Sequence, residues 1–394
     1  MNSGRHPYPG PAMTYEIVKC RPELRTQLLE LQTHLWGPDP ALKAAYLDWK
    51  YLRNPYIEAP YIHLALHQGR AVAMHGGFGG PWQVGDPPQR LNWINGADAV
   101  IAPEHRGGGL HEKLHRVALA DMAADGYTHT LTLSAVPISF WACVKLGWRC
   151  PGTFRPLRRG TWRAHRARLG RRIARRVPVL AGLWRRGWVA SPDPSNDVFA
   201  ALDAAGGQDG NIGSDPMSVD RSARPEAMAG LVGRLPPDGR IRGIRDEAFF
   251  AWRFADPFRV FRFLYWDDGG LDGYLILSAR LGARGAADIT ILDWEATDAR
   301  IKTALLSAAI DRGRFGRITV WSATLDEEDL SSLQTSGFKF VPSGLRDRTG
   351  RPEPNWPGIL IRPTRDQPVA DDWTQGGRDI LDLSNWDPRQ SHAG

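Results

Sequence analysis

The sequence predicts an α/β protein of two similar domains, each with a mixed, mostly antiparallel sheet flanked by helices. Strand and helix patterns alternate along most of the 394 residues, a length that suits two domains. A glycine-rich turn near residue 107 joins a strand directly to a helix. The order of elements around this turn occurs again about two hundred residues later, which indicates an internal repeat one domain long.

The elements of the first half follow from hydrophobic periodicity and turn residues. In chain order, the pattern predicts a strand at 15–19, helices at 22–35 and 41–51, strands at 61–67 and 70–78, and a strand that ends at 102. An alanine-rich helix and a strand over 127–135 follow. A sheet with helices on its faces is therefore expected.

The glycine-rich turn is the feature with the clearest chemistry. A strand ends at Ala102, and Arg106, Gly107, Gly108 and Gly109 then lead into the alanine-rich helix. Such a turn leaves unpaired backbone N–H groups beside the positive end of the helix dipole, which favours phosphate. Glycines let a ligand approach the backbone closely, and Arg106 can add a charge-assisted contact. The spacing fits neither the dinucleotide fingerprint nor the Walker loop.

Three separated motifs resemble the GNAT (Gcn5-related N-acetyltransferase) superfamily. Arg106, Gly109 and His111 match its acyl-CoA pyrophosphate pattern, Arg/Gln-x-x-Gly-x-Gly/Ala, with Pro103-Glu104 before it and Lys145-Leu-Gly-Trp148 after it. The resemblance implies an acetyl-CoA or other acyl-CoA donor and no metal. The contacts to the donor that it implies are Val100, Ile101, Arg106, Gly107, Gly108, Gly109, Leu110 and His111. His111 departs from the pattern, which has a small residue there.

The resemblance also implies an amine acceptor that attacks the thioester directly. A backbone N–H of Val100 or Ile101 would polarise the carbonyl. Asp98 is the best placed carboxylate to act as the base, although a bond to a neighbouring N–H is an equal alternative. Cys143 stands where many members carry a tyrosine that protonates the leaving thiolate; its alternative role is that of a small buried apolar residue.

A competing motif lies in the same helix. His111-Glu112-x-x-His115 matches the zinc metallopeptidase pattern, in which two histidines one turn apart bind zinc and the glutamate is the base. Ala118 stands where the longer form of the pattern has a glycine. The glycine-rich turn also has no role in such an enzyme. The favoured function is therefore N-acyl transfer, with a zinc peptidase and a non-catalytic acyl-CoA-binding module as alternatives.

Residues 155–186 contain twelve arginines and no acidic residue. Apolar residues at helical spacing predict a basic amphipathic helix, interrupted at Pro178. The helix could pack between the domains or lie on an anionic membrane surface; nucleic acid is the least favoured partner. The predicted divisions are a disordered lead-in at 1–13, domains at 14–154 and 215–345, the basic helix and flexible linker at 155–214, and a tail at 346–394.

The second domain repeats the first without its glycine-rich turn. Trp252 to Pro257 matches Trp49 to Pro55, at nearly the same distance from the start of each domain. Residues 296–300, which precede the corresponding helix, contain no glycine. We therefore expect little or no acyl-CoA binding by the second copy.

The remaining composition bears on location and partners. The three cysteines form no C-x-x-C pair, which favours a reduced, cytoplasmic setting. No apolar run reaches the ~18 residues that span a bilayer, so membrane contact would be peripheral, at the inner face. The expected acceptor is a small polar amine, for example an amino sugar, and its identity is left open because fold alone does not fix function.

Overall fold

The computed structural model describes residues 13–133, 137–160, 197–205, 216–281, 288–313, 315–323, 325–342 and 358–393. The lead-in and most of the predicted basic helix lie outside these ranges. No helix in the described ranges is long and apolar enough to cross a membrane.

The first half contains nine strands and five α-helices within the described ranges. They are β1 (Glu16–Lys19), α1 (Arg25–Leu31), α2 (Thr33–Trp36), α3 (Pro40–Leu47), β2 (Tyr61–His67), β3 (Arg70–Gly79), β4 (Trp82–Val84), β5 (Gln89–Leu91), β6 (Trp93–Ile101), α4 (Leu110–Ala124), β7 (His129–Thr132), α5 (Pro137–Lys145), β8 (Arg149–Thr153) and β9 (Pro156–Gly160). A π-helical turn, Asp48–Leu52, continues α3. The helix predicted over 22–35 is divided at Gln32 into α1 and α2.

The second half repeats this order. Its described elements are α6 (Ala200–Ala205), β10 (Met217–Asp220), α7 (Pro225–Arg234), β11 (Ile241–Gly243), α8 (Glu247–Arg253), β12 (Arg259–Asp267), β13 (Leu271–Arg280), β14 (Asp288–Ala296), α9 (Ala299–Gly313), β15 (Arg317–Trp321), α10 (Glu327–Thr335), β16 (Lys339–Phe340), β17 (Gly358–Pro363), β18 (Thr374–Gln375), β19 (Arg378–Asp379) and β20 (Trp386–Asp387). The predicted mixed α/β class and the tandem arrangement are confirmed.

Each half forms a seven-stranded mixed sheet, and each sheet contains one strand from the other half. The first sheet has the order β1-β2-β3-β6-β7-β17-β8, and the second has β10-β12-β13-β14-β15-β9-β16. β17 pairs antiparallel with both β7 and β8, and β9 pairs antiparallel with both β15 and β16. Because the exchange is reciprocal, neither sheet is continuous without the other half.

Three segments differ from the sequence-based expectation because tertiary contacts override local pattern. Residues 156–160 form β9, where the basic helix is predicted to begin, and Leu157 is fully buried in the second core. The predicted flexible linker contains α6, whose start places Phe199 and Leu202 in the same core. The tail supplies β17, a fully buried strand of the first sheet.

Two tryptophans join the copies where the repeat is clearest in sequence. The Trp49 indole N–H donates to the Trp252 carbonyl over 2.7 Å, and the Trp252 indole N–H donates to the Trp49 carbonyl over 2.8 Å. Their rings stack with centroids 5.3 Å apart and planes 14° apart. Such mutual contacts are expected when two copies are related by an approximate two-fold axis.

Removing one indole N–H should weaken this junction. Trp49→Phe keeps an aromatic ring but removes one of the hydrogen bonds to the Trp252 carbonyl, which still accepts from the Ala255 amide over 3.2 Å. The loss of one hydrogen bond costs about 0.5–1.5 kcal/mol. We expect the free energy of unfolding, measured by urea denaturation with circular dichroism, to fall by that amount, and the same for Trp252→Phe. The control Trp141→Phe alters an indole that is 55% exposed and should change stability by less than about 0.5 kcal/mol. Unchanged midpoints in both junction variants would contradict the assignment.

Candidate active site

A cleft opens in the first sheet where two parallel strands separate. β6 and β7 pair only over Trp93–Asn95 and His129–Leu131, after which they diverge. A cavity of about 260 Å³ lies at the divergence, between residues 96–99 of β6 and Thr132 and Leu133. β6 has a bulge opposite His75, and Asp98 in the bulge has a φ of +51°.

The glycine-rich turn stands at the mouth of this cleft. Gly107 and Gly109 have φ values of +87° and +72°, a region that side chains other than glycine rarely adopt. A Cβ built on Gly107, Gly108 or Gly109 would meet no atom within 4 Å, so the turn faces open space. α4 starts at Leu110 with no side-chain cap on its first turn. Its first amide groups are therefore open to a ligand.

The predicted donor contacts divide between side chain and backbone. The Leu110 side chain is buried in the core beside β2 and β3, so only its backbone can face a ligand. The His111 ring lines the cavity and stacks on His115, with ring centroids 5.9 Å apart. Arg106 is exposed, and its Nε donates to the Ile101 carbonyl over 2.9 Å.

Strand geometry distinguishes the two predicted backbone groups. The Ala102 amide donates to the Val72 carbonyl of β3 over 2.9 Å. Because alternate residues of an antiparallel strand bond to the same neighbour, Val100 also faces β3. Ile101 then faces the open side of β6, where its carbonyl meets Arg106. The amide exposed at the cleft is therefore that of Ile101.

In its described ranges, the second copy has neither an open turn nor an open cleft. The first turn of α9 is capped by the Asp298 carboxylate, which accepts from the Arg300 amide over 2.7 Å. A carboxylate at this position both occupies the amide and repels phosphate. The divergence of β14 and β15 leaves only about 20 Å³, bordered by Arg389 and Gln390 of the C-terminal segment.

Asp98 is held in a buried ion pair. Its Oδ2 lies 3.1 Å from the Lys50 ammonium and accepts from the Tyr51 hydroxyl over 2.6 Å and the Tyr46 hydroxyl over 3.4 Å. The side chains of Lys50 and Asp98 are 1% and 6% exposed. Burial lowers the pKa of Lys50, while the adjacent carboxylate opposes that shift. The Asp98 Oδ2 atom is therefore already bonded to one ammonium and two hydroxyl groups.

Cys143, on α5, lines the same cavity. Burial raises the pKa of its thiol from 9.0 to about 11. It is therefore a neutral thiol at physiological pH. As an acid it is weaker than an ordinary thiol, so it gives a leaving thiolate little help.

Residues of the predicted zinc motif bond to other side chains of the protein. The Trp148 indole N–H donates to His115 Nε2 over 2.8 Å, so the His115 proton is on Nδ1, which lies 3.1 Å from His75 Nε2. Neither nitrogen of His115 is left for a metal, and Glu112 pairs with Arg116 on the exposed face. Within the described ranges, no group of three or more His, Cys, Asp or Glu is arranged to hold a metal ion.

The same chain of bonds fixes the tautomer of His75. Since His75 Nε2 accepts from His115, the His75 proton is on Nδ1, a buried atom that has no partner among the described residues. Burial lowers the pKa of His75 to about 3 and that of His115 to about 2, and it also lowers the pKa of His111. All three rings are therefore neutral at pH 7.

Several cavity residues were not identified from the sequence, and His392 is the one that lies farthest along the chain. His392, in a 3-10 turn at Gln390–His392, lines the cavity of the first half although it is almost the last residue of the chain. It is 8% exposed, and neither ring nitrogen has a hydrogen-bond partner within the part of the chain that the structure describes. A single histidine near a terminus forms no motif, so no local signal marks it.

Comparison with known proteins identifies the fold. No protein-family model and no curated protein matches the sequence. Solved structures of GCN5-related N-acetyltransferases from Anabaena variabilis and Kribbella flavida have TM-scores of 0.54 and 0.50 at 13% identity; the match covers 89% of this chain and 73% and 71% of theirs. A conserved protein of unknown function from Enterococcus faecalis, described as a probable N-acyltransferase, has a TM-score of 0.53 at 13% identity, with coverage of 89% and 73%.

The similarity to these structures identifies the class of fold. In this chain the fold is a mixed sheet in which the parallel strands β6 and β7 diverge beside the uncapped N-terminus of α4. The chain has the fold of the GCN5-related N-acetyltransferases, present in two copies, as the sequence motifs indicate.

Breaking the ion pair between Lys50 and Asp98 should lower the free energy of unfolding. Lys50→Met leaves the Asp98 carboxylate buried without its ammonium, which we expect to cost about 3–5 kcal/mol. Adding Asp98→Asn, which tolerates a positive φ, should recover most of that loss. Urea denaturation of the single and double variants measures the coupling, with Glu112→Gln in an exposed pair as the control. Additive losses would show that the pair is not coupled.

Proposed function

We propose that the protein is an acyl-CoA-dependent N-acyltransferase that works in the cleft of its first half. The observation that carries the proposal is the contrast between the two helix starts. α4 presents uncapped amides and open glycines, whereas the matching first turn of α9 is capped by Asp298. Two copies of one fold thus differ at the place where a pyrophosphate would bind.

The donor would bind along the turn and β6. Gly107 to Gly109 and the first amides of α4 would hold the pyrophosphate, with exposed Arg106 beside it. The pantetheine arm would follow the open edge of β6 as an added strand, paired with the Ile101 amide. The thioester would then reach the cavity lined by Ala97, Asp98 and Cys143.

The cavity favours a small acceptor with an apolar body over an amino sugar. Its volume of about 260 Å³ is below the ~300 Å³ at which drug-sized pockets begin, and the donor end shares it. Leu35, Trp36 and Phe78 supply apolar lining. Asp98, the acidic side chain among the lining residues, is already paired with Lys50. A polycation would therefore find no free carboxylate there.

The predicted catalytic residues take modest roles in this proposal. Asp98 acts as a positioning residue, because its bonds to Lys50 and Tyr51 hold the bulge at the point where β6 and β7 diverge. Cys143 shapes the cavity as a neutral thiol and does not take part in proton transfer. The main contribution to rate is then the alignment of amine and thioester in the cavity.

Blocking the turn should abolish donor binding. Gly108 has an ordinary φ and open space around its Cβ position, so Gly108→Trp should fold while its indole covers the amides. By isothermal titration with acetyl-CoA we expect micromolar binding by the wild type and at least 30-fold weaker binding by the variant. Gly270→Trp, in an equally open turn of the second half, should bind like the wild type. Wild-type protein that does not bind acetyl-CoA would refute the proposal.

Removal of the Cys143 thiol should change turnover little. Because the buried thiol is neutral and weakly acidic at pH 7, Cys143→Ala should keep kcat/KM for acetyl-CoA within about threefold of the wild type. CoA release with a panel of small arylalkyl amines would measure it. A loss of a hundredfold or more would instead assign a chemical role to the thiol. CoA binding without turnover on any amine would favour the non-catalytic module.

A further inference from the structure

The C-terminal histidine is an unusual occupant of the cavity. His392 is more than nine-tenths buried, yet among the described residues neither ring nitrogen has a partner at full hydrogen-bond geometry, although the Arg389 backbone lies close to the ring. A buried polar atom without a partner costs about 1–3 kcal/mol. Native structures rarely keep such groups unless a ligand or a function pairs with them.

Contacts with the second half hold the residues around His392 in place. The Arg253 guanidinium donates to the Ser391 carbonyl over 2.5 Å and to the Ala393 carbonyl over 2.7 Å. Arg389 pairs with Glu295 of β14 over 3.0 Å and with Asp387 over 2.9 Å. β20 also pairs with β11. The C-terminal segment is therefore anchored on both sides of the histidine.

The ring itself is fixed by packing. Its imidazole stacks on Phe249 with ring centroids 4.8 Å apart. It also fills the space above Gly243, where a Cβ would lie 2.0 Å from His392 Nε2. The orientation of the ring thus comes from van der Waals contact, which leaves its nitrogens unbonded.

The chemistry of the other unpaired atoms shows what His392 adds. Among the described residues, three that line the cavity carry buried polar atoms without partners: Trp36 Nε1, His75 Nδ1 and the two nitrogens of His392. Trp36 Nε1 and His75 Nδ1 both carry protons and can only donate. A neutral imidazole has one donor and one acceptor nitrogen. Of these three residues, His392 is therefore the one that can accept a proton.

We propose that His392 is a catalytic residue that accepts the hydrogen bond, and then the proton, of the acceptor amine; this inference rests on the proposed acyltransferase function. The amine nitrogen bonds to the thioester carbonyl carbon and the carbon–sulfur bond breaks. The proton lost by nitrogen passes to the unprotonated nitrogen of His392 and then to water. CoA leaves as a thiolate and takes a proton from water, so the products are the amide and free CoA.

The charges around the ring suit this role. Burial and the nearby guanidinium groups of Arg245, Arg253 and Arg389 hold the pKa of His392 well below its ordinary value. The ring is therefore unprotonated and ready to accept at neutral pH. An amine nitrogen becomes much more acidic once it is bonded to the carbonyl carbon, so a weak base is sufficient at that stage.

The test uses hydroxylamine as the acceptor probe, because it is small enough to enter whatever acceptor pocket the cavity forms. Acetohydroxamate formation from acetyl-CoA is measured against the uncatalysed rate, and calorimetry measures acetyl-CoA binding separately. We expect His392→Ala to lose 10²- to 10⁴-fold of the enzymatic acceleration, the usual range for removal of a general base. Its affinity for acetyl-CoA should match that of the wild type, and it should remain folded at the assay temperature even though loss of the packed ring lowers its melting temperature. Gln390→Ala, in the same turn but facing the second cleft, is the matched control.

Chemical rescue separates proton transfer from a structural role. The space vacated in His392→Ala can admit free imidazole, which should restore part of the rate. Within a series of substituted imidazoles, the restored rate should depend on the pKa of the added base. An unchanged rate in His392→Ala, or a wild type that binds acetyl-CoA without accelerating the reaction, would overturn the role of His392. A wild type that does not bind acetyl-CoA would refute the acyltransferase proposal itself.

Discussion

The reciprocal exchange of β9 and β17 is the constraint on which the rest of the structure depends. Each of these strands lies between two strands of the opposite half and bonds to both. A sheet that lost it would expose unpaired backbone groups on both sides of the gap. The two cores therefore complete each other. The stacked pair Trp49 and Trp252 adds a second junction, where each half satisfies a buried donor and acceptor of the other.

This constraint explains why a copy without an open cleft is part of the molecule. The second half supplies β17 to the first sheet and, through Arg253 and β11, anchors the C-terminal segment. Part of the same segment borders the second cleft at Arg389 and Gln390. The packing of the C-terminal segment therefore does two things: it places Arg389 and Gln390 at the second cleft and His392 in the first. The second copy contributes to the first cleft without an open cleft of its own.

Local sequence patterns predicted the glycine-rich turn, the α4 start and the repeat, because each depends on neighbouring residues. The exchanged strands were not predicted. β9 carries arginines at the start of a basic segment, and β17 follows a proline-rich stretch, so neither pattern reveals a partner more than 150 residues away. The bonds of Asp98 to Lys50 and Tyr51 were also missed, because a carboxylate in a strand does not indicate which buried group faces it. The position of His392 in the cavity could not be predicted either, because it depends on the fold of the whole chain.

Electrostatics then limits how the cavity could work. The charge of Asp98 is balanced by Lys50, and the rings of His75, His111 and His392 are neutral because burial opposes their protonation. A cavity of this kind neither attracts a polycation nor repels a neutral amine. Since its histidines have pKa values below their ordinary range, their state does not change between pH 7 and 9. Any gain in rate across that interval would then come from deprotonation of the acceptor amine, which must lose its ammonium proton before it can attack.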